Sequence, residues 1–164
     1  MKIKSECCLD KEKVMSMLSK ITLFGGFEKN NLQDLLDNLS EIHIEKGQVI
    51  FKEGDSPTDI YIVLEGRAEF FLNGEKFLDI EPGFSMAETA VLGIQKHVFT
   101  AIAATDMDLL VLSKKKLMEL FHENKDVFSL LILNMARELA RGVALFGDHK
   151  HIYTSMEKKK IEKK

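Results

Sequence analysis

Residues 82–106 read PGFSMAETAVLGIQKHVFTAIAATD. The stretch begins with a Pro82-Gly83 turn and continues into a helix-prone piece from Met86 to Leu92. A basic-polar loop at Gln95-Lys96-His97 follows, and then a β-prone run. That order of elements builds an anion pocket. Backbone N–H groups at the start of a short helix lack partners of their own and face an anion readily. Glu88 places a carboxylate beside them to take hydroxyl donors, and a cation after the loop closes on the charge.

Upstream of this segment the hydrophobic period is two. Ile42-His43-Ile44 and Val49-Ile50-Phe51 are strands joined through a Lys46-Gly47 turn. Lys52 to Asp59 is loop chemistry, and Asp59 to Gly66 is a buried strand ending in a glycine. Arg67 to Leu72 leads to Asn73-Gly74, a dipeptide suited to a hairpin turn because both positions take positive φ, and Glu75 to Ile80 returns. Short strands separated by glycine-bearing turns at this spacing predict a jelly roll or barrel. The expected fold is α+β and mainly β: a jelly-roll-like β-roll of about eight strands, with N-terminal helices and a long C-terminal helix.

Further out, Ser5 to Lys20 reads as a helix, broken by Ile21 to Phe27. A second helix from about Lys29 to Leu39 has Leu32, Leu35, Leu36 and Leu39 in one stripe, with Asn30 or Asn31 as its cap. On the other side, Met107 to Leu112 is the closing strand, and Ser113 caps a helix running to Phe121. A long helix then spans about Asp126 to Phe146. Phe128, Leu131, Ile132, Met135, Leu139, Val143 and Phe146 form its main apolar line, with Leu130, Leu133, Ala136, Ala140 and Ala144 beside it. An arc that wide implies two covered sides, one against the roll and one against a second copy, so a homodimer is expected. The segments are therefore a helical lead-in (1–40), the β-roll (41–113), C-terminal helices (114–147) and a charged tail (148–164).

The 82–105 segment resembles the phosphate-binding cassette of cyclic-nucleotide-binding domains, as in catabolite-activator-type regulators and cyclic-nucleotide-dependent kinases. That cassette reads Phe-Gly-Glu-x-Ala-Leu, a variable loop, then Arg-x-Ala. Met86 takes the Phe place, Ala87 the Gly place and Glu88 the Glu place, while Ala90 and Leu92 match the small and apolar positions. The Arg place falls at His97 when the following strand sets the register, and at Lys96 otherwise. Gly47, Glu53-Gly54, Asp59-x-Tyr61-x-Val63 and Gly66 match the family as well, so the resemblance covers roughly Leu23 to Phe146.

The resemblance implies a regulatory sensor module that binds a cyclic nucleotide, cAMP or cGMP, or a related small anion, and signals through its C-terminal helix. The implied ligand-binding residues are Met86, Ala87, Glu88, Thr89, Ala90, Lys96, His97, Val98 and Phe99. Glu88 would accept the ribose hydroxyl. Ala87 and His97 replace the family's Gly and Arg, and an imidazole is neutral at pH 7 and lacks the bidentate guanidinium fork. Phe99 stands where the family has a small residue. The alternative is a ligand-free descendant serving as a dimerisation or protein-interaction module.

Other classes find little support. A net charge of −3 provides no broad basic face for DNA, and the residues after Gly147 are too few and too charged for a helix-turn-helix domain. No apolar run reaches transmembrane length and no secretory pattern is present, so the expected setting is the cytoplasm. Cys7 and Cys8 are adjacent and read as free thiols. His149-x-His151 lacks further metal ligands, and no nucleophile elbow or Walker-type loop occurs. No metal site and no enzymatic activity are expected.

Overall fold

The computed structural model describes residues 2–3, 11–88, 96–123, 125–137 and 139–141. Among these, nine strands form two antiparallel sheets. The first has the order β1 (Lys2–Ile3), β2 (Ser40–Ile44), β9 (Met107–Ser113), β4 (Asp59–Glu65), β7 (Ser85–Met86). The second runs β3 (Val49–Phe51), β8 (Thr100–Ala103), β5 (Ala68–Leu72), β6 (Glu75–Ile80). The helices are α1 (Lys11–Leu18), α2 (Lys29–Asp37), α3 (Lys114–Glu123) and α4 (125–137, continuing at 139–141), with a 3-10 turn at Thr22–Phe24. The mainly β roll is as expected.

β4 explains the architecture. Successive side chains of a strand point to opposite faces, and here both faces are covered. Ile60, Ile62 and Leu64 face a core built with the helices, through Leu18, Phe24, Leu35 and Leu131. Val63 and Tyr61 face the space between the sheets, with Ile42, Phe51, Phe70 and Leu109. Double coverage is why this strand reads as nearly unbroken apolar sequence.

Two turns are set by backbone chemistry. Asn73 and Gly74 adopt φ of 52° and 81°, and the register Leu72↔Glu75 makes them the hairpin turn between β5 and β6. Gly66 sits at φ 84°, where an added Cβ would strike the Asp106 carbonyl oxygen and the Met107 backbone. No side chain fits there.

Some local expectations change. α2 starts at Lys29 with Glu28 as N-cap and no side-chain capping bond, so Asn30 and Asn31 lie inside the helix. β1 is a strand absent from the sequence reading; two residues are too short for a period, and pairing with His43 and Ile42 creates it. Met86 belongs to β7 rather than to a helix because it pairs with Tyr61. Ser113 does cap α3, its Oγ accepting the Lys116 N–H at 3.2 Å. The lead-in before Lys11 and the tail after Arg141 lie largely outside the described residues.

The C-terminal helix divides its apolar residues differently from the expected line. Met135 is 2% exposed and belongs with Leu131 to the core of its own chain. Expected on the face left for a second copy, it is unavailable while α4 is docked. Phe128 and Ile132 are half-buried, whereas Leu133 (48%) and Leu139 (43%) are exposed. Val143 and Phe146 lie outside the described residues.

Candidate functional site

Two short described segments carry the cassette residues, one on each side of residues 89–95. The first leaves β7. Met86 is buried between the sheets, Ala87 follows, and Glu88 is half-buried in helical conformation. Ala87 adopts φ 71°, the left-handed region that glycine favours. Placing a Cβ there costs about 1–2 kcal/mol. The chain thus holds a glycine-type turn with an alanine. Thr89 and Ala90 lie outside the described residues.

The second segment alternates. Lys96 is exposed, His97 is buried, Val98 is exposed and Phe99 is half-buried. His97 is therefore the inward-facing residue of the pair at the Arg place, and Lys96 points to solvent. The backbone locks this orientation. The His97 N–H donates to the Asp55 carbonyl at 3.0 Å, and the Gly54 N–H donates to the His97 carbonyl at 2.8 Å. The loop after β3 and the segment entering β8 hold each other in register.

His97 is 8% exposed and its ring lies on Phe51, centroids 4.1 Å apart and planes 14° apart. Phe51 also meets Tyr61 at 5.9 Å and Phe70 at 5.7 Å. Phe99 continues the cluster, stacking on Phe70 at 5.5 Å and on Phe77 at 5.3 Å. Burial holds the His97 imidazole below its ordinary pKa, and the Asp55 carboxylate opposes that shift. At neutral pH the ring is uncharged and offers a single N–H.

A model of the cyclic nucleotide-binding domain matches residues 41–124, just over half of the chain. The chain belongs to the cyclic nucleotide-binding domain family. A cAMP-dependent protein kinase regulatory subunit from Eremothecium gossypii is 32% identical over 99 residues, covering 60% of this chain and 22% of the relative. The chain thus spans about a fifth of the curated relatives it matches. A cyclic nucleotide-binding domain from Methylobacillus flagellatus has TM-score 0.73 and 17% identity, covering 88% of this chain and 83% of that one. The Thermus thermophilus catabolite activator protein gives 0.71 and 22%, covering 81% and 63%. This cyclic nucleotide-binding domain therefore shares the β-roll of the catabolite activators, and its family is regulatory rather than catalytic.

Reading residues one at a time missed two contributors to this domain. Phe51 reads as ordinary strand core, yet it carries the His97 stack. Asn134 is 2% exposed, and its Nδ2 donates to the Leu23 carbonyl at 3.1 Å and to the Gly25 carbonyl at 2.8 Å. Arg137 Nη1 donates to its Oδ1 at 3.1 Å. A signal was present, since Asn134 is polar at helical spacing from Val127 and Leu131 on the buried side. No cluster able to hold a metal occurs among the described residues, and no helix there is long and apolar enough to cross a membrane.

Proposed function

We propose that this domain is a regulatory module of the cyclic-nucleotide-binding type in which a packed, neutral imidazole has replaced the phosphate clamp. Cyclic nucleotides then bind weakly, and the module works through its C-terminal helix as a homodimeric interaction unit. The His97–Phe51 stack carries this reading. A hydrogen bond to a charged group contributes about 1.5–3 kcal/mol, so replacing a fixed cation by a neutral donor weakens phosphate binding by about tenfold or more. Phe99, stacked on Phe70 and Phe77, adds bulk beside it.

One observation favours a second reading, a sensor of a small anion. Ala87 keeps a left-handed turn immediately before Glu88, the backbone shape that presents N–H groups to an anion.

Calorimetry of the whole chain with cAMP and cGMP at pH 7.5 tests the proposal. Negligible heat, or a Kd above about 100 μM, is the expected result. Submicromolar binding of either nucleotide overturns it and establishes the sensor reading.

A further inference from the structure

Strand register assembles a second surface, away from the cassette. Ser40, Val111 and Tyr61 form one row across β2, β9 and β4, and Ser113 pairs with Asp59 in the next row. By alternation these side chains share the face that carries Ile42, Leu109 and Val63 into the core between the sheets. Here that face borders a cleft of about 390 Å³, walled by the C-terminal end of α2 and the first turn of α3. Among the described residues, none of the cassette lines it.

The charged side chains lining the cleft are two carboxylates and one ammonium. Asp59 and Asp37 contribute carboxylates; the Thr58 hydroxyl donates to Asp59 Oδ2 at 2.6 Å, and Asp37, in the last turn of α2, has Lys11 Nζ 3.9 Å away, outside the lining. Lys116 is the single lining cation among the described residues, and its Nζ lies 3.0 Å from Glu119 Oε2. The floor is apolar, through Ile42 and Val111. Tyr61 is half-buried beside them; burial, and secondarily Asp59, hold its phenol above the ordinary pKa, so it remains a neutral donor. A carboxylate and an aromatic side chain above an apolar floor recognise an ammonium group attached to a short hydrocarbon.

We propose that this cleft binds a small organic ammonium ion, with its charge on Asp59 beside Tyr61 and its hydrocarbon body on Ile42 and Val111. Tyr61 stacks on Phe51, and Phe51 on His97, so occupancy of the cleft touches the cassette through one aromatic ring. The site stands independently of whether a nucleotide binds.

Methyl and aromatic NMR of the full chain tests this, with pentylamine hydrochloride titrated against 1-pentanol and sodium pentanoate at matched ionic strength. The expected result is saturable shifts at Ile42, Val111 and Tyr61 with the amine alone, and affinity about tenfold weaker in Asp59→Asn. Asp37→Asn, expected to weaken binding severalfold, serves if Asp59→Asn fails to fold. No saturable shift with pentylamine, an equal response to pentanoate or pentanol, or unchanged affinity in the variants overturns the site. Much tighter binding of Nα-acetyl-lysine amide than of pentylamine overturns the free-amine assignment in favour of a partner's lysine side chain.

Discussion

His97 lies flat on Phe51, their ring centroids 4.1 Å apart, and each ring is held from the other side of the contact. The backbone of His97 is pinned to Gly54 and Asp55, and Phe51 is packed against Tyr61 and Phe70. The imidazole is thereby part of the wall of the roll.

Restoring the clamp should restore binding. His97→Arg supplies a permanent cation, and Ala87→Gly relieves a left-handed backbone that costs about 1–2 kcal/mol. The double variant is expected to bind cAMP at least about tenfold more tightly than the unaltered chain. Calorimetry of the three proteins reads this directly. No gain in the double variant would show that the space is filled, and Phe99→Ala is then the next substitution.

The same stack predicts a pH dependence of stability. The folded-state pKa of His97 is lowered by burial, so between that value and the unfolded value of about 6.5 the unfolded chain binds more protons. Stability from this group is therefore complete above about pH 6.5 and declines as pH falls through the window toward the folded pKa. Thermal melts at pH 7.5 and 5.5 should show a fall in Tm for the unaltered chain. The fall should be smaller in His97→Phe; an identical fall in both would remove His97 from the explanation.

Asn134 should matter more than its polar character suggests. Asn134→Ala leaves the carbonyls of Leu23 and Gly25 without this donor in a buried setting, at a cost of about 1–3 kcal/mol. Asn134→Asp should be worse, since a carboxylate would face two carbonyl oxygens. Urea unfolding reports both, and a loss below about 0.5 kcal/mol for the alanine variant would place water in the amide's role.

The two sides of α4 should respond differently to charge. Met135→Glu buries a carboxylate in the chain's own core and should unfold it or cost about 3 kcal/mol or more. Leu133→Glu and Leu139→Glu alter exposed positions and should leave the fold intact while dissociating a dimer. Sedimentation velocity separates these outcomes. A monomeric unaltered chain at micromolar concentration would end the dimer proposal.

Much of the fold was legible because its signals are local. The near-continuous apolar run of Asp59–Glu65 and the positive-φ chemistry at Asn73-Gly74 each depend on a residue and its immediate neighbours. The order of the cassette residues was equally legible, since Met86, Ala87 and Glu88 are consecutive. Which residue of the Lys96-His97 pair faces inward was not. That depends on the bonds from residues 54 and 55 and on Phe51 across the roll, none of which neighbours His97 in sequence.

The same distinction holds for the C-terminal helix. Its sequence determined that both sides are apolar and that the helix is long. Only tertiary structure decided which side is covered, because the 3-10 turn at Thr22–Phe24 docks on it from 111 residues away, through the bond from Asn134 to Leu23. Helical period reports that a face can be buried, whereas the packing partner selects Met135 for the core and leaves Leu133 in solvent.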